Sequence, residues 1–401
     1  MPFKTLRDFD FKGKRVLVRA DLNVPAKDGK VTDTERIDRL KPTIDYLNAE
    51  GAKIILLSHF GRPKTGYDAA YSLSFLTAPC AQSWGRNVAF AKDCTGGEAN
   101  TAISSMKDGD ILLLENLRFH AGEEKNDPAF VAELAALGDI YVNDAFSAAH
   151  RAHASTEGLA HRLPAAAGLL MEAELNALSN ALENPQKPVI AIVGGSKIST
   201  KLSVLNNLVR KVDYLFLGGG MANTFLYANG AEIGKSLCER DMADEARAIM
   251  QTAEEAGCQI ILPTDHVCVK QFGENAPFEI RGADTMDADE QAVDIGPASI
   301  EMLEDILSGC KTALWNGPMG VFEVKPFDKG TNDLARTVAT LTEAGSLVSV
   351  AGGGDTVAAL ENAGAAESFT YISTAGGAFL EWLEGKKLPG VAALTAHKKA
   401  A

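Results

Sequence analysis

Residues 189–202 read VIAIVGGSKISTKL, an apolar run followed at once by two glycines and two lysines. Five consecutive apolar residues without polar alternation are typical of a strand that is buried on both faces. The glycine pair predicts the turn out of this strand, and Ser196 predicts the start of a helix. In such a helix Lys197 and Lys201 would share one face of the first turn, where backbone N–H groups also point outward.

This arrangement outlines a polyphosphate site, because the N-terminal ends of helices attract anions. Two glycines before a helix and two lysines on a solvated face occur about as often in proteins that bind no ligand there as in proteins that bind a phosphate. The motif therefore predicts a strand, turn and helix, and leaves the ligand open.

Length and charge limit the class of protein. The chain has 401 residues and a formal net charge of -14 at pH 7. This length predicts two domains, and the charge argues against nucleic acid as a partner, while local Arg and Lys clusters can still bind small anions.

The six cysteines contain no C-x-x-C pair, so they indicate neither a zinc site nor a disulfide framework. Without a signal peptide or a stretch near the ~18 apolar residues that cross a bilayer, we expect a cytoplasmic protein without membrane contact.

Apolar runs alternate with helical patterns along the whole chain. The runs of the first half are 16–18, 54–57, 111–114, 140–142 and 165–170. Those of the second half are 189–193, 214–217, 260–262, 312–315, 347–350 and 371–372. Continuous apolar strands separated by helices predict parallel sheets that are covered on both faces.

The expected fold is α/β, with two doubly wound, Rossmann-like parallel-sheet domains joined by a helix. Residues 172–182 place leucines at helical spacing, and the prolines at 185 and 188 stop that helix. The predicted division is an N-terminal domain at 1–170, a joining helix at 171–185 and a C-terminal domain at 186–385.

The strand ends of the first half are basic. Ligands of open α/β sheets bind beyond the carboxyl ends of the strands, where this chain has RADLNVP (19–25), SHFGRP (58–63), ENLRFH (115–120) and NDAFSAAHRAH (143–153). These segments, with one residue of the segment after the first, supply Arg19, Arg36, His59, Arg62, Arg118, His150, Arg151 and His153. A single arginine there is most often a surface ion pair. Four successive strand ends that each carry one predict a small, multiply anionic ligand.

The strand ends of the second half are rich in glycine, which permits close approach of the backbone to a ligand and abrupt helix starts. They read GGSK (194–197), LGGGMANTF (217–225), LPTD (262–265), WNGPMGVFE (315–323), AGGGDT (351–356) and STAGGAF (373–379). Asp355 is either a plain helix N-cap or a carboxylate that faces magnesium. Glu323 is either an acceptor for a ribose hydroxyl or a solvated carboxylate.

The sequence does not match the P-loop, the dinucleotide-binding motif or the common metal-binding motifs. The segment 230–236 is one residue short of a P-loop, and no G-x-G-x-x-G follows the first strand, which argues against a nicotinamide-dependent dehydrogenase. His59, His150 and His153 lack the spacing of a metal motif.

Taken in order, RADLNVP, SHFGRP, LENLRF, DAFSAAHRAHAST, GGSKISTKL, GGGMANTF, LPTD, WNGPMGVFE, GGGDT and EGKKLPG resemble the phosphoglycerate kinase family over nearly the whole chain. The resemblance implies a 3-phosphoglycerate site made of Asp21, Asn23, Arg36, His59, Arg62, Arg118 and Arg151. It implies a nucleotide site made of Gly195, Lys197, Lys201, Gly219, Gly220, Asn316, Pro318, Glu323, Gly353, Gly354, Asp355 and Thr356. Magnesium would be held by Asp355, and the catalytic groups would be Arg36, Lys197 and the backbone at Gly354 and Gly376.

The family reaction implied is reversible transfer of a phosphoryl group between 1,3-bisphosphoglycerate and ADP, in glycolysis and gluconeogenesis, by a monomer that binds ATP or ADP with Mg²⁺. Since the accepting carboxylate has no proton to lose near neutral pH, no general base is expected. Transfer would be in line and would follow closure of the domains about 172–182 and 385–389.

The resemblance also implies that residues 386–401 return to the N-terminal domain. Two positions depart from the family pattern: Ala20 replaces the usual Val, and Ala375 replaces the first Gly of STGGG. The alternative of a non-catalytic nucleotide-binding scaffold would keep the fold and lose the arginines.

Overall fold

The alternating apolar runs form two six-stranded parallel sheets, one in each half of the chain, and this confirms the predicted fold class. The computed structural model describes residues 3–64 and 66–396. The chain divides into two units, Met1–Leu175 with Lys387–Ala401, and Asn176–Lys386. The division falls inside a helix, Leu169–Leu178.

The first unit contains eight strands among its described residues, six of them in the sheet of order β5-β6-β4-β1-β7-β8, with β2 and β3 forming a small hairpin. The strands are β1 Arg15–Ala20, β2 Ala26–Lys27, β3 Lys30–Val31, β4 Lys53–Leu57, β5 Val88–Ala91, β6 Ile111–Leu114, β7 Ile140–Asp144 and β8 Ala165–Ala167. The helices that follow or connect them are α1 Glu35–Ala49, α2 Thr77–Trp84, α3 Gly96–Ser104, α4 Pro128–Ala135, α5 Leu159–Arg162 and α6 Leu169–Leu178.

The central strands of this sheet are buried on both faces, as their uninterrupted apolar sequence requires. Val16 of β1 lies opposite Ile54 of β4 and Ile140 of β7, and all three are in the core. The ends of β1, β4, β6 and β7 therefore meet at one edge. Sequence reasoning missed β5, a run of four apolar residues (VAFA) at one margin of the sheet, where Ala89 is exposed and Phe90 is half-buried.

The second unit has a parallel sheet of order β11-β10-β9-β15-β16-β17 and a three-stranded antiparallel sheet of order β13-β12-β14. Its strands are β9 Val189–Val193, β10 Tyr214–Leu217, β11 Gln259–Ile261, β12 Asp265–Val269, β13 Glu279–Gly282, β14 Gln291–Ile295, β15 Thr312–Asn316, β16 Val348–Gly352 and β17 Tyr371–Ser373. Its helices are α7 Leu202–Leu208, α8 Gly219–Ala228, α9 Ala243–Ala256, α10 Pro297–Gly309, α11 Lys329–Glu343, α12 Gly354–Asn362 and α13 Gly377–Leu383.

The last described helix, α14 Pro389–Ala396, belongs to the first unit, as expected for the returning C-terminal segment. The backbone N–H of Gly390 donates to the carbonyl of Ala149 at 2.9 Å. Val391 and Leu394 are buried. Residues 397–401 of the predicted returning segment lie outside the described part of the chain.

The expected helix at 172–182 is present, as α6 and the π-helical turn Ser179–Glu183 that follows it. Two other local predictions are wrong. The run 165–170 is not one strand, because β8 ends at Ala167 and α6 begins two residues later. No helix starts at Ser196: the chain stays irregular up to α7, because the Ser199 backbone N–H donates to Glu239 at 2.9 Å and bends the segment away from a helix.

Candidate active site

The first part of the basic edge links Asp21, Asn23 and Arg36. Arg36 Nη1 donates to Asp21 Oδ2 at 2.8 Å and to the Asn23 carbonyl at 3.1 Å. Ser147, after β7, donates to the same Asp21 oxygen at 2.5 Å. Asn23 Oδ1 accepts the N–H of Gly61, after β4, at 2.8 Å. The ends of β1, β4 and β7 are therefore tied together by side chains of the segments after β1 and β7 and by a backbone N–H of the segment after β4.

His59 is held by Arg19, whose nitrogen Nη2 lies 2.8 Å from His59 Nδ1. Burial, with the charges of Arg19, Arg118 and Arg151, moves the pKa of His59 far below its usual range, so the ring is neutral. A guanidinium only donates, so Nδ1 is the acceptor and the proton of the neutral ring is on Nε2. His59 thus offers an N–H donor at this edge.

Arg118 lies in the turn Leu117–Phe119 after β6 and is buried, with Nη1 donating to the carbonyl of Gly61 at 2.5 Å. Burial lowers its pKa, as do the neighbouring arginines, and Glu124 at 3.3 Å partly opposes this. Gly61 has φ +61°, and a Cβ there would lie 2.5 Å from the Tyr71 ring, so the turn requires glycine.

The two remaining residues of the predicted 3-phosphoglycerate site, Arg151 and Arg62, differ in their surroundings. Arg151 is half-buried, its Nε donates to His150 Nε2 at 3.1 Å, and its charge reaches His59. Arg62 is exposed and directly follows Gly61 in the chain.

Arg19 is only 1% exposed, and sequence reasoning noted it among the basic residues without giving it a place in the site. Its Nε donates to Ser155 Oγ at 2.9 Å, and Ser155 in turn donates to Glu123 Oε1 at 2.5 Å. Glu123 lies in the polar segment GEEK, which looks like an exposed loop, so no sequence signal pointed to it as the buried counter-charge.

The glycine-rich strand ends of the second unit surround a cleft of about 300 Å³. Six predicted nucleotide-site residues line it: Gly195, Gly219, Gly220, Pro318, Glu323 and Asp355. Residues that the sequence did not indicate also line it, among them Asn223, Leu237, His266 and Asp294. Burial lowers the pKa of His266 to about 4 and raises that of Asp294 to about 7. The sequence did not place His266 and Asp294 at this cleft, because β12 and β14, which carry them, belong to an antiparallel sheet that was not predicted.

Close backbone approach explains the glycines at the end of β9. A Cβ on Gly194 would lie 1.8 Å from the carbonyl oxygen of Pro318, so the loops after β9 and β15 can touch only through glycine.

The side chain of Lys201 is half-buried and forms hydrogen bonds with the loops after β9 and β15. Its Nζ donates to the Gly194 carbonyl at 2.8 Å and to Asn316 Oδ1 at 2.5 Å. Burial lowers the pKa of Lys201 to about 8, although the charge of Asp355 acts in the opposite direction. Thr356 Oγ1 accepts the Gly317 N–H at 2.7 Å, which ties the start of α12 to the loop after β15.

The predicted catalytic backbone groups stand at helix starts. Gly354 is the first residue of α12, and Gly353 before it is the N-cap, with φ 101°. The interpretation of Asp355 as an N-cap is therefore wrong: it is an exposed residue of the first turn. Gly376 is the N-cap of α13, and Lys197 is exposed in the irregular segment before α7.

The two departures from the family pattern fit locally. Ala20 is fully buried at the end of β1. Ala375 is also buried, and its turn accepts a Cβ because the residue with positive φ is Gly376, at 49°.

Comparison with known proteins identifies the family. A model described as phosphoglycerate kinase matches residues 6–386. The chain belongs to the phosphoglycerate kinase family. Phosphoglycerate kinase of Rhodospirillum centenum is 60% identical over 396 residues, which cover 99% of this chain and 100% of the relative. That of Rhodopseudomonas palustris is 61% identical over 392 residues, or 98% of each chain.

Solved structures agree. Phosphoglycerate kinase of Coxiella burnetii has a TM-score of 0.93 at 42% identity and covers 99% of this chain and 100% of its own. That of Pyrococcus horikoshii has a TM-score of 0.80 at 32% identity, with the same coverage. Membership in the phosphoglycerate kinase family makes the chain a phosphotransferase of glycolysis with small-molecule substrates, as the sequence predicted. Within the described residues no helix is long and apolar enough to span a bilayer.

Proposed function

We propose that the chain transfers a phosphoryl group reversibly between the acyl phosphate of 1,3-bisphosphoglycerate and ADP, giving 3-phosphoglycerate and ATP. The observation that carries this proposal is the convergence of Arg19, Arg118 and Arg151 on the neutral ring of His59. Guanidinium groups match carboxylate and phosphate oxygens in pairs, so such a cluster suits a small acid that bears several negative charges.

The acid substrate is proposed to bind along the edge formed by the ends of β1, β4, β6 and β7. The residues proposed to contact it are Asp21, Asn23, Arg36, His59, Arg62, Arg118 and Arg151. Asp21 holds Arg36 from one side, so the guanidinium is oriented before the substrate arrives. The substrate would then replace solvent without a large cost in side-chain ordering.

The nucleotide is proposed to bind in the cleft of the second unit. Glycine loops permit close approach of phosphates to backbone N–H groups, and Lys201 supplies charge beside them. The proposed contacts are Gly195, Lys197, Lys201, Gly219, Gly220, Asn316, Pro318, Glu323, Gly353, Gly354, Asp355 and Thr356.

Magnesium is proposed to be held by Asp355. This exposed carboxylate lines the cleft, and nucleotide-site Mg²⁺ takes one or two carboxylates together with phosphate oxygens, so the residue fits the ion. Bound with the nucleotide, the ion neutralises phosphate charge.

Catalysis is proposed to consist of positioning and charge stabilisation, without a general base. Arg36, Lys197 and the backbone N–H groups at Gly354 and Gly376 would face the oxygens of the phosphoryl group during in-line transfer. The starts of α12 and α13 at these glycines support this role, because the N–H groups of a first helical turn have no partner within the helix.

The deciding experiment measures ADP release from ATP and Mg²⁺, with and without 3-phosphoglycerate, in a coupled assay that removes the acyl phosphate. We expect turnover to depend strictly on the acid. ATP binding without acid-dependent turnover would reduce the chain to a nucleotide-binding scaffold.

We further propose that the chain is a cytoplasmic monomer and that its two units close when both substrates are bound, since transfer needs reacting atoms about 3–3.5 Å apart. Solution scattering with and without both substrates tests closure, and identical curves would count against it. The molar mass from light scattering tests the monomer.

A further inference from the structure

Three side chains of types that bind transition metals meet in the first unit, and none of them is among the residues assigned to either substrate. Asp93, Cys94 and His120 each offer a ligand atom, and these atoms all lie within 4.8 Å of one another. Asp93 and Cys94 follow β5, and His120 follows the turn after the adjacent strand β6. We propose that Asp93, Cys94 and His120 form a binding site for a borderline divalent cation of the Zn²⁺ type.

The donor set selects the class of metal. A thiolate with an imidazole and a carboxylate suits Zn²⁺, whereas Mg²⁺ and Ca²⁺ prefer oxygen ligands alone. Three protein ligands leave a fourth tetrahedral position for water. The proposed site therefore differs in chemistry from the carboxylate at Asp355 and does not depend on the proposed phosphoryl transfer.

The ligands are held in place by one another and by neighbouring groups. His120 Nε2 lies 2.7 Å from Asp93 Oδ1, and the Cys94 backbone N–H donates to that oxygen at 2.7 Å. The His120 ring stacks on Phe130, with centroids 5.1 Å apart and planes 21° from parallel. Groups that orient metal ligands in this way raise affinity, because less ordering accompanies binding.

The surroundings attract a cation and admit it. The carboxylates of Asp93, Glu123 and Glu115 lie near the buried Cys94 thiol and make the local potential negative. The same negative potential favours a divalent ion. The side chains of Asp93 and His120 are 43% and 31% exposed, which gives the ion a path from solvent.

Binding exchanges protons for metal. The sulfur–metal bond forms as the S–H bond of Cys94 breaks, and that proton leaves to solvent. His120 would bind the metal through a ring nitrogen that carries no proton.

The test titrates the full chain with Co²⁺ in the absence of nucleotide and follows its absorption. We expect d–d bands of tetrahedral Co²⁺ together with a thiolate-to-cobalt charge-transfer band, and displacement of both by Zn²⁺. Cys94→Ala should lose the charge-transfer band, and His120→Gln should weaken Zn²⁺ binding by at least about 10-fold, the lower end of the effect of removing a supporting group. Circular dichroism confirms that each variant is folded, and His120, being partly exposed, supplies the second variant if Cys94→Ala does not fold.

The matched control is Cys238→Ser, which removes a more accessible thiol of the second unit and should leave the spectrum unchanged. Absence of Co²⁺ and Zn²⁺ binding by the unsubstituted chain would overturn the proposal. So would a charge-transfer band that survives Cys94→Ala, or Zn²⁺ affinity unaltered in His120→Gln.

Discussion

Arg36 is oriented before any ligand arrives, because Asp21 and the carbonyl of Asn23 hold the same guanidinium nitrogen. If it stabilises charge during transfer, Arg36→Ala should lower kcat by about 10²-fold while KM for the acid changes less. Steady-state kinetics with 3-phosphoglycerate measure both constants.

The control for this substitution is Arg39→Ala, on the same helix, where the guanidinium lies 3.7 Å from Glu35 one turn away. It should keep turnover near that of the unsubstituted chain. Full turnover in Arg36→Ala with only weaker binding of the acid would mean that Arg36 binds the ground state alone.

The two histidines of the basic edge predict a loss of stability in acid. Burial and nearby arginines lower the pKa of His153 to about 4 and that of His59 further, against about 6.5 in an unfolded chain. The unfolded chain therefore binds more protons below pH ~6.5, so stability is complete above that pH and falls as the pH drops towards 4.

The measurement is the free energy of urea unfolding at about pH 7.5 and about pH 5. His153→Gln should show a smaller loss between the two values than the unsubstituted chain does. His161→Gln, at an exposed histidine, should not alter the loss. An equal loss in all three proteins would assign the acid sensitivity to other groups.

Arg19 shows which part of a residue's role the sequence can predict and which part it cannot. Its place after a strand was visible, and its charge was counted with the others. It contacts His59, 40 positions away, and it pairs with a buried glutamate through Ser155, which is 136 positions away. No local pattern carries that information.

The turn after β9 is the element that most constrains the second unit. Gly194→Ala would force a Cβ into the Pro318 carbonyl, and overpacking of this kind costs about 3 kcal/mol or more when backbone must move. We expect a lower free energy of unfolding and weaker nucleotide binding, measured by urea unfolding and calorimetry.

Gly309→Ala is the matched control, since no atom lies within 4 Å of a Cβ at that position and its φ is negative. Its stability should be unchanged or slightly higher, because alanine restricts the unfolded chain. Equal destabilisation by both substitutions would contradict the proposed steric role of the turn.

Strands were easier to predict than helix starts. The runs 111–114, 189–193 and 214–217 are strands with the predicted bounds, because burial on both faces leaves an uninterrupted apolar signature. The segment after Gly195 misled because its helical spacing is local, whereas Glu239 and Asn316, far along the chain, hold it in another conformation.

The return of the chain makes the first unit depend on residues at both ends of the sequence. Leu394 in α14 is 1% exposed, so Leu394→Ala should destabilise the first unit by about 2–5 kcal/mol through the cavity it leaves. Urea unfolding checks this in a background with Trp315→Phe and Trp382→Phe, so that the fluorescence of the remaining Trp84 reports on the first unit.

Thr395→Ala is the control on the same helix, since the Thr395 hydroxyl donates to the Ala392 carbonyl of that helix at 2.8 Å. It should cost about 1 kcal/mol or less. An unaltered midpoint for Leu394→Ala would mean that α14 does not contribute to the stability of this unit.

Local pattern alone was enough to establish two α/β halves, the basic and glycine-rich strand ends and the order of motifs that points to a kinase, because these depend on residues close together in the chain. Contacts between distant segments settled the rest: the antiparallel sheet that brings His266 and Asp294 to the cleft, and the meeting of Cys94 with His120. Such contacts arise when strands pair and surfaces are buried together, and the spacing of residues along a sequence does not record them.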